Sequence, residues 1–520
     1  MNKEQELMVD LLVRSAKFME DNGITFYLYG GSAIGALRHN GFIPWDDDLD
    51  IIVTRENFKK IKERFEFIQW DDIDFICVES NPHYFKPSGF FSLKNDVCTS
   101  KSRIFYRGPC LGTVMDIFIL DDMDSSRREE MEKNMLLYND VLVDAWVYNN
   151  KIIDYLDEYK ELKADQLKLG KMPVINRLKH RLESCDPSES DMYLTRWAKE
   201  DFLEYDKSIF GEPVYHEFEG HMMPLPTKPE AMLRVEYGYS WYLLPEHQDR
   251  EQHDFTVNHN ISCNNYAKDI DQFVDWDEAD RALYDRKLEM IHQKSKKREI
   301  VDMERSFMVQ ALLLRHRGVI QTLEGTSADQ YQAFLEGMDP IIRNIKLFKR
   351  TDCSDKIPAS VVYKTANSLI YAGRYYDAMK MRDMFGFAFE DGEGKAVSDL
   401  LDKVLSVVTP YQDKEYPVMK ECLDGIPEDF RINIPDFILA DIKLNIMNDC
   451  GMNESNELIQ RCDNYLKIFP DNYDIMKAKG DLYRHLGYQS AAESLYNVVL
   501  ENSRNGLDVL EIRSILQTQE

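Results

Sequence analysis

Gly30-Gly31-Ser32 and, soon after, Asp48-Leu49-Asp50 are the residues of this sequence best equipped for chemistry, together with Asp116, a lone aspartate in the apolar run Val114-Met115-Asp116-Ile117-Phe118-Ile119. A glycine pair entering a helix offers backbone N–H groups to a phosphate, and only glycine lets the backbone approach that closely. Ser32 adds a hydroxyl. Alternate residues of a strand share a face, so Asp48 and Asp50 point one way, about 7 Å apart, and Leu49 and Ile51 the other. Carboxylates so spaced can ligate one or two Mg²⁺ (or Mn²⁺) ions; without a cation they repel. A strand aspartate among apolar neighbours is costly unless something binds it. Asp116 completes the set if its strand lies beside that of Asp48 and Asp50. The chemistry implied is metal-assisted transfer of a phosphorus-centred group. Either piece alone is ordinary, an acidic turn after Pro44-Trp45 or a common Gly-Gly-Ser loop. Their combination is not.

The elements that must position these groups are legible nearby. Met8, Leu11, Leu12, Ser15, Phe18 and Met19 recur at helical spacing, and Asn22-Gly23 supplies a stop. Ile24 to Tyr29 reads as a buried strand. Ser32 is a good N-cap for a short helix running to His39 and closed by Gly41. Leu49 to Val53 is the second strand, and Thr54 caps a helix carrying Phe58, Ile61 and Phe65. Further strands are expected around 75–78, 90–93 and 114–120. Strands alternating with helices indicate an α/β layer.

Positive charge is sparse and therefore worth locating. Arg38 follows the short helix and either contacts a donor phosphate or pairs with the aspartates. Lys94, Lys101, Arg103 and Arg107 precede the Asp116 strand; a solvated face is the ordinary reading, a phosphate-binding edge the functional one. Trp45 reads as packing behind the acidic loop more readily than as a platform for a base. Arg250 and His253 fit a pocket wall and a structural role equally well.

Bulk composition narrows the class. The 520 residues suffice for two to four domains, and 44% hydrophobic with 12% aromatic residues marks an ordered globular chain. With 64 Lys+Arg against 92 Asp+Glu the formal charge is −28, which argues against nucleic acid as a partner. The nine cysteines are scattered without C-x-x-C spacing, fitting reduced thiols and not a disulfide or zinc framework. The charged start Met1-Asn2-Lys3-Glu4 is no signal peptide, and no apolar run reaches the roughly 20 residues that span a bilayer. The expectation is a cytoplasmic protein, able to dock at the inner face of the membrane.

Beyond the strands, 125–206 reads as a charged helical insertion and 218–253, rich in Pro, Tyr and Trp, as a wall of loops. From about Asp277 onward helix pairs dominate. Ala366-x-x-Leu369-x-x-x-Gly373-x-x-x-x-Ala378 and Gly480-x-x-Tyr483-x-x-x-Gly487-x-x-x-x-Ala492 repeat a small residue, a large one, a turn Gly and an Ala at matching offsets. This resembles the tetratricopeptide pattern.

The run from Gly30 through Arg38-His39-Asn40-Gly41-Phe42-Ile43-Pro44-Trp45-Asp46-Asp47-Asp48-Leu49-Asp50 resembles, almost without gaps, the signature of the LicD family. These are phosphotransferases of the nucleotidyltransferase superfamily, related to the fukutins. Met115-Asp116-Ile117-Phe118 is similar to the family's third-aspartate strand, and Tyr237-Gly238-Tyr239-Ser240-Trp241 with Pro245 and Arg250-x-x-His253 to its closing block. Many relatives have Gly-Thr where this chain has Gly-Gly-Ser; the hydroxyl is kept. The resemblance covers 1–255 and implies an α/β (α+β) nucleotidyltransferase-like domain with a mixed sheet; outside it, the helical pattern reads as a connector over 256–345 and an all-α, tetratricopeptide-like region over 346–520. It further implies a metal-dependent enzyme that moves a phospho-alcohol such as phosphocholine from a CDP-linked donor to a glycan hydroxyl, in lipopolysaccharide or teichoic acid modification. Asp48, Asp50 and Asp116 would be catalytic and hold Mg²⁺ or Mn²⁺; Gly30, Gly31, Ser32, Arg38 and Lys94 would bind the donor. A nucleotidyltransferase releasing pyrophosphate, and an interaction protein with a vestigial catalytic domain, are the competing readings. A protein partner on the helical repeats follows from fold analogy alone.

Overall fold

A mixed sheet organises the first part of the computed structural model, which describes residues 2–68, 70–81, 84, 88–100, 112–142, 155–196, 202–245, 250, 255–272, 275–348 and 356–517. Its strands are β1 (Tyr27–Leu28), β2 (Asp50–Thr54), β3 (Ile73–Cys77), β4 (Gly89–Leu93), β6 (Val114–Met123), β7 (Met192–Arg196) and β8 (Phe202–Asp206), with β5 (Val97–Ser100) outside it. The order is β1-β2-β6-β4-β3, and the end of β6 continues the sheet through β7 to β8. Among the described residues only β2 and β6 run parallel. A parallel pair needs a long crossover, here the stretch containing α3 (Arg55–Phe65), β3 and β4. Its register sets Asp50 opposite Asp116, Ile51 opposite Ile117 and Ile52 opposite Phe118.

Helix α1 (Lys3–Asp21) opens with a reciprocal capping box between Asn2 and Gln5 and ends at Asn22, with Gly23 at φ +62°. Helix α2 (Gly30–His39) differs from expectation at both ends. It starts at Gly30, so Ser32 lies inside the first turn and Tyr29 occupies the N-cap; it ends on Asn40, in the left-handed region at φ +55°, and not on Gly41. Gly41 serves another purpose: a Cβ there would sit 2.2 Å from Glu219 Oε1, the atom that accepts the Phe42 N–H. Strand β1 is two residues long where six were expected, because Ile24 to Phe26 make no ladder bonds.

The expected helical stretch 125–206 holds α4 (Arg128–Leu142), α5 (Leu156–Leu169) and α6 (Lys171–Leu182), then gives way to β7 and β8. Met192–Arg196 and Phe202–Asp206 carry no clean alternation of apolar and polar residues, so the sequence reading missed them as strands. Met131, Met135, Leu178 and Leu182 pack with Phe90, Met123 and Leu194 into one core on the sheet. The expected loop wall at 218–253 contains a hairpin, β9 (Val214–Phe218) with β10 (His221–Leu225), and α7 (Pro229–Tyr237), which Pro229 starts at the one helical position where its missing N–H costs nothing. Strand β11 (Phe255–Asn258) pairs with β5, and α8 (Cys263–Asp271) follows.

The chain divides into two compact units, Met1–Trp241 with Pro245–Lys296, and Tyr242–Leu244 with Lys297–Glu520. After the long α9 (Trp276–Glu324) and α10 (Tyr331–Arg343), the second unit is a run of helices: α11 (Ala359–Tyr371), α12 (Tyr375–Met384), α13 (Gly392–Gln412), α14 (Tyr416–Asp424), α15 (Glu428–Arg431), α16 (Pro435–Met447), α17 (Met452–Leu466), α18 (Tyr473–His485), α19 (Gln489–Asn502) and α20 (Gly506–Gln517). Both glycines of the repeated pattern take positive φ between paired helices, Gly373 (+76°) between α11 and α12 and Gly487 (+81°) between α18 and α19. Gly480 must be small, since a Cβ would meet the Tyr496 ring at 2.7 Å. Residues Tyr242–Leu244 pair with 504–506: the Leu244 N–H donates to the Arg504 carbonyl at 2.7 Å, and Gly506 N–H to the Tyr242 carbonyl at 3.0 Å. Among the described residues no helix is long and apolar enough to cross a membrane.

Candidate active site

Asp50 is the first residue of β2 and Asp116 the third of β6, and the parallel register places them side by side. Adjacent strands lie about 4.8 Å apart, so two carboxylates on the same level face one another across one strand spacing. Asp50 is buried and Asp116 half-buried. Asp48 precedes the strand, in the extended segment 46–49, and is half-buried too. It therefore owes its direction to that segment and not to a strand pleat. Among the described residues no three His, Cys, Asp or Glu side chains form a group ready to hold a metal ion. The register sets Asp50 and Asp116 level, with Asp48 two residues before Asp50. Magnesium is commonly held by one or two carboxylates with phosphate oxygens and water completing the octahedron, so the pair fits that ion with a diphosphate present.

The glycine turn is built differently from the sequence reading. Gly30 has φ +56°, which disfavours any side chain, and its N–H donates to the carboxylate of Glu236. Glu236 also accepts from the Tyr205 hydroxyl at 3.1 Å, and Tyr205 and Tyr29 share a hydrogen bond at 2.9 Å. Burial pushes the Glu236 carboxyl and the Tyr29 phenol well above their ordinary pKa values. A buried chain of Tyr29, Tyr205 and Glu236 therefore holds the turn from behind. Gly31 faces Asp46: a Cβ would lie 2.6 Å from its Oδ2. The Asp46 loop is anchored from α1, whose Gln5 Nε2 donates to the Asp46 carbonyl at 3.2 Å. Ser32 is buried, and its hydroxyl accepts the Asp50 N–H at 2.9 Å. It fixes the aspartate strand to the turn.

Arg38 is buried; its Nη1 donates to the Trp241 carbonyl at 3.3 Å and its Nε to His39 at 3.2 Å. Burial lowers its pKa to about 10, against the opposing pull of Asp46. The charge of Asp46 thus acts on Arg38. Trp45 has the Arg250 guanidinium 4.2 Å from its ring centre and His39 at its edge, as a packing residue would. Lys94 is drawn elsewhere, donating to the Trp70 carbonyl at 3.0 Å and pairing with Asp74 at 3.3 Å. Lys101, Arg103, Arg107 and His253 lie outside the described residues. Tyr237, Glu236, Tyr205 and Asp46 are site residues that sequence reasoning missed. Burial raises the Tyr237 phenol well above 10, with the charges of Glu236, Asp50, Asp46 and Asp48 acting in the same direction, so it remains a proton donor beside that acidic group. The one available signal was the position of Glu236 and Tyr237 directly before Gly238 in the closing block.

Residues 23–86, which carry this turn and the first two aspartates, match the family model described as LicD/FKTN/FKRP, nucleotidyltransferase domain. Over these residues the chain is similar to LicD-family proteins. A Haemophilus influenzae protein named lipopolysaccharide cholinephosphotransferase LicD is 24% identical over 273 residues, which span 48% of this chain and 95% of that protein. Uncharacterised proteins of Rickettsia typhi and Rickettsia prowazekii are each 34% identical, over 79 and 62 residues, or 26% and 23% of their own lengths. The LicD model therefore spans α2, both strands that lead to Asp50, α3 and β3. Asp116 lies C-terminal to those residues and joins the LicD turn only through the β2–β6 register.

Proposed function

We propose that the first unit is a metal-dependent phosphotransferase that moves a phospho-alcohol of the phosphocholine type from a CDP-linked donor to a hydroxyl of a cell-envelope glycan. The observation that carries this reading is the Asp50–Asp116 pair, level with one another on the parallel strands β2 and β6. Support comes from the likeness of the chain to a lipopolysaccharide cholinephosphotransferase along nearly all of that protein.

Asp50 and Asp116 would hold Mg²⁺ or Mn²⁺, which supplies charge neutralisation for the diphosphate and for departing CMP. Asp116, less buried than Asp50, orients the acceptor hydroxyl and takes its proton. The acceptor oxygen bonds to phosphorus as the bond to CMP breaks. Ser32 keeps Asp50 at its level in the sheet through the backbone N–H. The Tyr237 phenol, held protonated, donates toward the carboxylates and limits their mutual repulsion. Arg38 offsets the charge of the Asp46 loop.

The family model's description as a nucleotidyltransferase domain supports a second reading, attack on the α-phosphorus of an NTP with release of pyrophosphate. The helical unit, with its tetratricopeptide-like repeat, would then serve either enzyme by recruiting a protein partner. Calorimetry with CDP-choline, CDP-ribitol, CDP-glycerol and CTP, with and without Mg²⁺, separates the cases. The expected result is metal-dependent binding of one CDP-alcohol, lost in Asp50→Asn, and CMP as product. Binding of CTP alone with pyrophosphate release would replace the first reading by the second.

A further inference from the structure

Between Met303 and Glu324, within the second unit, helix α9 is apolar on two opposite sides, one buried and one exposed. Val309, Leu313, Ile320 and Leu323 are buried. Helix α10 comes so close on that side that a Cβ at Gly337 would lie 2.9 Å from Leu323. At 3.6 residues per turn these four side chains share a sector roughly 80° wide. Met303, Phe307, Ala311, Leu314 and Gly318 recur at steps of four, four, three and four residues, and they share a second sector of about the same width on the far side of the helix. All five are exposed; Met303, Phe307 and Leu314 are 69%, 72% and 69% so. A helix at a protein surface ordinarily turns charged residues outward. Single exposed apolar side chains are common, but a continuous stripe about 22 Å long marks a surface that another element covers.

The charges beside the stripe say what that element is. Glu304 and Arg315, both exposed, stand eleven residues apart, close to three turns, and so lie along the same flank. Acid comes first and base last. A helix carrying the same charges in the opposite direction complements them, and a second copy of α9 is such a helix.

We infer that the stripe is a self-association surface, on which α9 pairs antiparallel with α9 of a second copy about a two-fold axis near Gln310 and Ala311. Reversal about that point sets Phe307 of one copy beside Leu314 of the other. It also sets Met303 beside Gly318, where a Cβ would meet nothing within 4 Å and the thioether has room. A two-fold axis perpendicular to both helices brings like flanks together, so Glu304 of each copy comes within about half a turn of Arg315 of the other. Parallel pairing would instead set Glu304 beside Glu304 and Arg315 beside Arg315, and that repulsion fixes the direction. The contact is self-complementary and closes at two copies.

Sedimentation equilibrium on the full chain, from about 1 to about 100 μM at low ionic strength, tests this. The expected mass rises with concentration from one copy toward two. Phe307→Glu and Leu314→Glu should each raise the dimer Kd about ten-fold or more, with native far-UV circular dichroism. Glu304→Arg and Arg315→Glu should each weaken the dimer, and the two changes in one molecule should restore it. A wild type that stays monomeric throughout overturns the proposal, as does a dimer whose Kd is unchanged in a folded Phe307→Glu or Leu314→Glu variant. A double charge exchange that recovers nothing overturns the antiparallel pairing. If one of the two glutamate variants does not fold, the other decides.

Discussion

The backbone N–H of Asp50 donates to the hydroxyl of Ser32 at 2.9 Å, so the glycine turn and the aspartate strand are a single unit. That bond uses the serine oxygen as an acceptor and sets the level at which Asp50 stands beside Asp116.

Ser32→Ala should therefore lower stability by about 1 kcal/mol, the usual cost of leaving a buried backbone donor without its acceptor. Turnover should fall more than donor affinity does, because Asp50 shifts while the turn's own N–H groups remain. Melting temperature, with kcat and KM for the donor, reads both effects. A raised donor KM with unchanged stability would return the hydroxyl to the phosphate.

Asp50→Asn and Asp116→Asn should each cut CMP release by a factor of about 100 or more, the scale on which removing one preorganised charge acts. Neither should lower the melting temperature in metal-free buffer, since each relieves a like-charge pair across one strand spacing. An Asp116→Asn variant with near-normal turnover would remove that residue from the reaction.

At Gly31 the available space is decisive. An alanine Cβ would fall 2.6 Å from Asp46 Oδ2, and the Asp46 loop is tied to α1 through Gln5. Gly31→Ala should displace the acidic loop and lose activity while far-UV circular dichroism stays native. Shortening the obstructing side chain, as Asp46→Ala in the same molecule, should recover the melting temperature without recovering turnover.

Glu79 gives the fold an acid-side signature. Burial pushes its carboxyl up, but hydrogen bonds from Lys179 and Lys62, each at 2.6 Å, overcome this and hold it at about 2, against 4.5 for a free group. A depressed folded-state pKa contributes stability that is fully present above about pH 5 and lost as pH falls toward 2. Unfolding of the wild type should steepen across that window, and Glu79→Gln should flatten the slope there while leaving the neutral-pH activity unchanged. Denaturant melts at pH 3, 4, 5 and 7 measure it.

Local signals that agreed with their surroundings were readable from the residues. The Asn22-Gly23 stop, the Thr54 cap, the short strand around 90–93 and the turn glycines at 373 and 487 all stand where expected. What could not be read is what depends on distant partners. Ser32 fits an N-cap by type, yet the Asp50 amide eighteen residues on claims its hydroxyl. Lys94 looks like a phosphate ligand until β3 presents Asp74 to it. Asp48 and Asp50 share a face only if both lie on one strand, and β2 begins at Asp50. Glu236 is marked in the sequence only by its place beside the closing block; folding is what brings it to Gly30. The helix pairs of the second half were visible because their contacts are short-range.

The Tyr242–Leu244 segment has a bearing on how such a chain could arise. Three residues from the middle of the polypeptide hydrogen-bond with 504–506 and count among the second unit. A helical array appended to an existing enzyme gene would ordinarily be contiguous, and a single crossover could exchange it for another. Here recombination at one point would strand a short edge without its complement in both products. The backbone bonds between 242–244 and 504–506 thus make one edge of the second unit depend on two stretches far apart in the sequence.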